Sequence, residues 1–203
     1  METVLILDFG AQYSQLIARR VREQNVYCEV KPCSISPDEI RELAPIGIIL
    51  SGGPQSVYES VSLHVDPALF SLGIPVLGIC YGCQLMAYSL GGTVAAATEA
   101  TAREYGKTLT EFDTDCSIFQ GLPASSVTWM SHGDYISQVP DGFAVTAKTA
   151  VCPTAAMACP EKKLYGVQFH PEVQHTVEGS EMLRRFLYTV CGASGDWTMA
   201  DYR

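Results

Sequence analysis

The sequence has no long hydrophobic run: no stretch approaches the roughly 18 apolar residues that a bilayer span requires. It opens METVLILDFG, without a basic segment or a small-residue cleavage pattern, so no signal peptide is expected. The cytoplasm is the expected compartment. Basic residues are few. Thirteen Lys and Arg stand against 22 Asp and Glu, a net charge of −9. No block of them offers the phosphate-binding patch that nucleic acid demands, so neither nucleic acid nor a membrane is an expected partner. Arg19, Arg20 and Arg22 form the densest basic group and read as a solvated helix face. Only one C-x-x-C pair occurs, Cys80 with Cys83, and it has neither a second knuckle nor a matching His pair. That excludes the usual structural zinc pattern, and no metal site is expected. Internal repeats, low-complexity segments and a Walker A lysine motif are all missing.

What is present suits one domain, or at most two small ones. The 203 residues are 47% hydrophobic and 17% charged, a composition that supports a sizeable core. The eight cysteines read as reduced thiols rather than a disulfide framework. Residues 3–7 are a continuous apolar run ending in Asp8-Phe9-Gly10, the pattern of a strand buried on both faces. Tyr13, Leu16, Ile17 and Val21 recur at helical spacing. Further strands are predicted at 27–30, 46–50 and 75–79. A helix start is predicted at Ser36-Pro37, a short helix at Asp66-Pro67, and a helix carrying Leu85, Met86, Ser89 and Leu90. Strand and helix therefore alternate to residue 92, which predicts an open, mostly parallel sheet flanked by helices. Beyond Gly92 the pieces become short and β-rich, at 93–97, 107–111, 127–129, 143–149, 154–158 and 164–169. They predict a smaller antiparallel portion in the second half. A last helix carries Val177, Met182, Leu183, Phe186, Leu187 and Val190, and a Gly-rich tail with a lone Trp197 reads as an extension outside the core.

Chemistry concentrates at three places. In Gly78-Ile79-Cys80-Tyr81-Gly82 an apolar strand stops at a thiol and a helical pattern follows at once. A residue at such a turn projects from the carboxyl edge of the sheet, and small neighbours let the backbone double back. The helix N-terminus beside it favours thiolate and points N–H groups at any developing oxyanion. A cysteine nucleophile needs a base and a group to orient that base. Gly166-Val167-Gln168-Phe169-His170-Pro171-Glu172 supplies both at the end of another predicted strand. In extended chain His170 and Glu172 face the same way, so the carboxylate can hold one imidazole nitrogen while the other faces the thiol. Ser51-Gly52-Gly53-Pro54 closes the strand before the elbow, where ligands of open α/β sheets collect.

These three segments together resemble the class I (triad) glutamine amidotransferase family. Ile6-Leu7-Asp8-Phe9-Gly10-Ala11-Gln12-Tyr13, Arg103-Glu104-Tyr105-Gly106, Trp129-Met130-Ser131-His132-Gly133-Asp134 and Ser194-Gly195-Asp196-Trp197 are similar to those members whose ammonia feeds the ATP-dependent amination of XMP to GMP. The resemblance covers essentially the whole chain. It implies that Cys80 is the nucleophile on L-glutamine, His170 the acid and base, and Glu172 its orienting carboxylate. It implies an oxyanion hole from the backbone N–H groups of Gly53 and Tyr81. It places Gly52, Gln84, Ser131, Gly133 and Asp134 around the substrate, with Asp134 as partner of the α-ammonium. It implies residues 1–191 as the amidotransferase domain and 192–203 as a linker towards an ATP-pyrophosphatase (synthetase) domain, in the same full-length chain or on a separate subunit. No cofactor is expected in this domain; ATP and Mg2+ belong to the synthetase half, whose Ser-Gly-Gly-Val-Asp-Ser loop has no counterpart here, since Ser51-Gly52-Gly53 continues Pro54-Gln55-Ser56.

Cys83 departs from the family, which more often shows Met or Val there. It reads as a small core residue, or as a redox partner able to form a disulfide with Cys80. His64, His132 and His175 read as satisfied loop histidines. Three other readings stay open from the sequence: a C-x-x-C redox module, a cysteine hydrolase of γ-glutamyl substrates on the same fold, and a domain whose pocket binds without turnover.

Overall fold

The computed structural model describes residues 1–10, 13–53, 56–58, 64–96 and 104–198. Ala11, Gln12, Pro54, Gln55, Ala97, Arg103 and the last five residues of the tail, all used in the sequence reading, lie outside them.

The first half is a chain of strand–helix units: β1 (Thr3–Asp8), α1 (Ser14–Glu23), β2 (Tyr27–Pro32), α2 (Pro37–Leu43), β3 (Gly47–Leu50), β4 (Val76–Ile79) and α3 (Tyr81–Ser89). The second half holds β5 (Thr93–Ala96), β6 (Glu104–Phe112), β7 (Ser125–His132), β8 (Asp134–Gln138), β9 (Ala144–Lys148), β10 (Ala156–Cys159), β11 (Leu164–Val167) and α4 (Gly179–Arg185). Among the described residues one nine-stranded sheet runs β2-β1-β3-β4-β11-β10-β9-β6-β7. Its first five strands are parallel and the rest antiparallel. A separate antiparallel pair joins β5 to β8. The expected class is therefore observed: a mostly parallel open sheet with an antiparallel extension.

Alternation along β1 shows how both faces are covered. Val4 and Ile6 pack with Ile17, Ala18 and Val21 of α1 and with Met182 and Leu183 of α4. Leu5 and Leu7 point the other way, onto Ile40 of α2 and Leu85 and Met86 of α3. A strand buried on both faces needs apolar residues at every position, which is why the pattern of residues 3–7 is continuous. The start of α2 forms for the reason expected. Ser36 Oγ accepts from the Glu39 N–H at 3.2 Å, the Glu39 carboxylate reaches back to the Ser36 N–H, and Pro37 occupies the first turn.

Several expectations are corrected. The tail is not outside the core: Trp197 is buried against Tyr27, ring centroids 5.8 Å apart, and the Ser194 N–H donates to the Glu2 carboxylate at 2.9 Å. One large indole outweighs the Gly-rich composition around it. Val177 is exposed, because the last helix begins only at Gly179 and ends in a wider π-type turn over Phe186–Val190. Asp66-Pro67 opens a 3-10 turn, Pro67–Ser71, with Asp66 Oδ1 accepting from the Ala68 N–H. β8 has no counterpart in the sequence reading, since DYISQ buries only Ile136 fully and shows no clean alternation. The basic group on α1 is not simply solvated either. Arg20 Nε donates to the Glu172 carbonyl at 3.0 Å, and Arg22 donates to the Cys28 carbonyl at 3.1 Å.

Candidate active site

The carboxyl ends of β3, β4 and β11 are adjacent in the sheet, so whatever follows each strand meets at one edge. After β4 comes the elbow. Cys80 takes φ 53° and ψ −110°, a left-handed backbone costing about 1–3 kcal/mol for a residue with a Cβ. The turn is possible because two neighbours are glycine. A Cβ on Gly78 would sit 2.6 Å from the Gly82 carbonyl oxygen, and one on Gly82 would sit 2.5 Å from that of Leu50. The Cys80 N–H is tied to the Val167 carbonyl at 2.8 Å, which fixes the elbow to β11.

β11 ends earlier than the pattern suggests, at Val167, although the Gln168 N–H still donates to the Ala155 carbonyl. His170 follows, its N–H held by the Trp129 carbonyl at 3.0 Å and its carbonyl accepting 2.6 Å from Thr176 Oγ1. Thr176 Oγ1 itself accepts from the Trp129 N–H. Glu172 then reaches His170 Nδ1 through Oε2 at 3.1 Å. The two meet across a turn closed by the Val173 N–H and the His170 carbonyl, not along extended chain as the i, i+2 argument supposes. A turn suits this contact because Pro171 already fixes its own φ.

The imidazole is buried, as are the thiol and the carboxylate. Burial opposes charge on His170. Hydrogen bonds to Cys80 and Glu172, with the negative charge of both, more than offset it and raise the imidazole to about 11. Since Nδ1 is taken by Glu172, Nε2 is the nitrogen left for the sulfur. Glu172 Oε1 is buried and finds no hydrogen-bond partner among the described residues. The ring of Tyr13 packs edge-on against His170 at 5.3 Å.

The glycine loop after β3 lies against both partners. A Cβ on Gly52 would come 3.1 Å from His170 Cε1 and 3.5 Å from Cys80 Cβ; one on Gly53 would come 3.5 Å from the Tyr81 ring. Ser51 shapes the loop by accepting from the Phe9 N–H at 3.2 Å and donating to the Gly52 carbonyl. Tyr81 opens α3, and the Cys83 and Gln84 N–H groups that follow donate to the Cys80 carbonyl at 3.0 and 3.1 Å. The β7–β8 turn completes the edge. The Ser131 carbonyl accepts from Cys80 Sγ at 3.5 Å, and the Asp134 carbonyl accepts from Gln84 Nε2 at 3.0 Å. Gly133 lies between them, half-buried. Cys80, His170, Glu172, the Gly52–Gly53 loop, Tyr81 and Gln84 thus meet at one edge, which Ser131 and Asp134 reach through their backbone carbonyls.

Cys83 does not. It is fully buried on the α2–α3 face, where a Cβ on Gly166 would meet its sulfur at 2.6 Å, and burial raises its thiol well above the ordinary range. Both cysteines are free thiols. His132 Nδ1 bonds the Asp134 carbonyl at 2.8 Å, His64 bonds the Val57 carbonyl, and His175 stacks on Trp129 at 4.9 Å. Sequence reasoning missed Thr176, Arg20 and Gln168. For Gln168 a signal existed: a carboxamide inside the apolar run 164–169.

The family model of the class-I glutamine amidotransferases matches residues 5–190. A GMP synthase [glutamine-hydrolyzing] of Clostridium botulinum is 55% identical over 201 residues, 99% of this chain and 39% of that protein. The same-named protein of Geobacillus kaustophilus is 54% identical over an equal span. The chain therefore spans about 39% of the length of these curated relatives. Among solved structures, a protein of Thermoplasma acidophilum described as a GMP synthase subunit superposes with a TM-score of 0.84 at 31% identity, covering 100% of this chain and 96% of that one. A glutamine amidotransferase of Thermotoga maritima shares the fold, with a TM-score of 0.74 at 20% identity over 95% of this chain and 99% of that one. On sequence, fold and the arrangement at the sheet edge alike, the chain belongs to the class-I glutamine amidotransferases.

Proposed function

We propose that this chain hydrolyses L-glutamine to glutamate and ammonia through Cys80, His170 and Glu172, and passes the ammonia to a synthetase module that aminates XMP to GMP. The observation that carries the reading is the buried imidazole held by Glu172 at 3.1 Å, on the same glycine loop that Cys80 packs against. The Cys80 proton resides on His170, whose raised value keeps it there, and the thiolate Sγ attacks the side-chain amide carbon. The N–H groups of Gly53 and Tyr81 receive the negative oxygen; one such donor is commonly worth about 10²–10³ in rate. The C–N bond breaks as His170 returns the proton to departing ammonia, leaving a γ-glutamyl thioester. Water, deprotonated by His170, then releases glutamate and the free thiol. Asp134 and the Ser131–Gly133 turn hold the α-ammonium and α-carboxylate, and Gly52 and Gln84 line the side-chain path.

Residues 1–191 are the catalytic unit and 192–203 lead towards the synthetase, which carries ATP and Mg2+. The reading places the enzyme in the cytoplasm. The GMP assignment rests on the names of the relatives, which are much longer than this chain. The test is ammonia release from glutamine, alone and with a complementary ATP-dependent module, XMP and ATP. Low release alone, a rise on adding the module with its substrates, and loss of both in Cys80→Ala are expected. Turnover surviving in Cys80→Ala would sink the mechanism, and equal release with and without the module would sink the coupling.

A further inference from the structure

Gln168 is fully buried immediately after β11, in a run that is otherwise apolar. Its Nε2 lies 3.6 Å from Cys80 Sγ, and its Oε1 lies 3.0 Å from Gln84 Nε2. Gln84, on the first turns of α3 and itself buried, also places Nε2 3.0 Å from the Asp134 carbonyl. The three contacts form one line from the β7–β8 turn to the nucleophile. We infer that Gln168 is a positioning residue for Cys80, its amide made to donate to the sulfur by a relay anchored on the Asp134 backbone carbonyl.

The direction of that relay follows from one atom. The shape of a carboxamide does not distinguish its oxygen from its nitrogen; the partners must. A backbone carbonyl only accepts, so the Gln84 atom facing Asp134 is the NH2 group. The second hydrogen of that group points to Gln168, so the Gln168 atom facing it is the oxygen. The remaining end of Gln168, the NH2, is then turned to Cys80. Neither amide can flip without setting two oxygens or two NH2 groups against each other inside a buried site, a cost of the same order as a lost buried hydrogen bond.

At the sulfur this choice has a consequence. The Ser131 carbonyl, 3.5 Å away, suits the thiol, whose proton it accepts. It offers nothing to a thiolate. The Gln168 amide does the opposite, since a donor to sulfur is stronger once sulfur is charged. Departure of the proton therefore trades Ser131 for Gln168 and draws the sulfur away from the β7–β8 turn. The ionisable groups around this sulfur are His170 and Glu172 after β11, Cys83 on α3, and His132 and Asp134 on the β7–β8 turn. Of the two carboxylates, Glu172 is engaged by His170. The same relay ties the sulfur to the turn that holds the α-ammonium of the substrate.

The inference rests on the reading of Cys80 as nucleophile, and the experiment separates the two. In the full chain, alkylation of Cys80 by iodoacetamide is followed by peptide mass spectrometry across pH. Glutamine hydrolysis is measured with the synthetase module present, and thermal melts confirm folding. Gln168→Met keeps the volume and removes the donor. Its alkylation midpoint should rise by about one pH unit and kcat should fall about tenfold, with KM within about twofold. Gln168→Glu can still accept from Gln84 but turns a carboxylate oxygen to the sulfur, so its midpoint should rise further. It carries the test should the Met variant fail to fold. Unchanged midpoints in the folded variants, with kcat within about twofold of wild type, would reduce Gln168 to packing and overturn the inference. Because alkylation does not require turnover, this outcome is independent of whether Cys80→Ala abolishes hydrolysis, which judges the nucleophile itself.

Discussion

Arg20 of α1 donates through Nε to the backbone carbonyl of Glu172 at 3.0 Å, joining residues 152 apart in sequence. The guanidinium also reaches Glu23 through Nη1. The contact pins the turn that presents Glu172 to His170, while the Arg20 side chain stays only partly exposed. Arg20→Ala should lower unfolding stability by about 1 kcal/mol, the net worth of such a bond. It should lower kcat for glutamine several-fold and leave KM unchanged, because the substrate is not touched. Arg20→Lys should recover little, since an ammonium lacks the planar fork that serves the carbonyl and Glu23 together. Normal kcat in a destabilised Arg20→Ala would make the clamp purely structural.

The raised His170 value makes stability depend on pH with a definite sign. The folded protein keeps a proton that the unfolded chain releases near the ordinary imidazole value, about 6.5. This contribution is therefore complete below that value and is lost as pH climbs through the folded value of about 11. Glu172→Gln removes one of the causes and lowers the folded value, so the window narrows. Urea titrations between about pH 7 and about pH 9 should show stability falling less steeply in the variant than in wild type. Hydrolysis should drop at least about 100-fold, since the imidazole loses its orienting charge. Parallel stability slopes in the two proteins would show that Glu172 does not hold the proton on His170.

The Gly82 methylene faces backbone, not a side chain that can swing aside. A methyl there would lie 2.5 Å from the Leu50 carbonyl oxygen and 2.7 Å from Leu50 Cβ. Gly82→Ala must therefore separate α3 from β3 or twist the elbow. We expect a loss of about 2–3 kcal/mol, read as a lower urea midpoint at unchanged m-value. Activity should fall further than stability alone explains, because the strained Cys80 backbone depends on the same close approach. A fully active Gly82→Ala protein of wild-type stability would mean the elbow is looser than this packing.

The meeting of Cys80, His170 and Glu172 was legible because each answers a demand made within a few residues: a thiol between glycines, and an imidazole two residues from a carboxylate. The parallel half of the sheet was legible because strands buried on both faces write themselves as unbroken apolar runs, as residues 4–7 do. What stayed hidden depends on partners far away in the chain. Arg20 looks solvated until Glu172 arrives beside it, and Thr176 looks like a loop residue until it clasps the His170 carbonyl. β8 was hidden because its pairing with β5, not its own pattern, makes it a strand. Trp197 was hidden because tail composition does not reveal its packing on Tyr27, beside the first two residues of the chain.

Cys83 lies one helical turn from Cys80, yet the two residues belong to different apolar clusters. Cys80 packs with the α1–α4 core, and Cys83 with the α2–α3 core. A bond between them would need the Cys83 sulfur to leave its place against Gly166. Burial also keeps Cys83 as the unreactive thiol rather than the thiolate that disulfide exchange requires. Peroxide should therefore inactivate wild type and Cys83→Ala at the same rate, with equal recovery on adding dithiol. Peptide mapping should find oxidation at Cys80 and none at Cys83. Faster irreversible loss in Cys83→Ala, together with an 80–83 cross-link in wild type, would show that α3 opens far enough for Cys83 to protect the nucleophile.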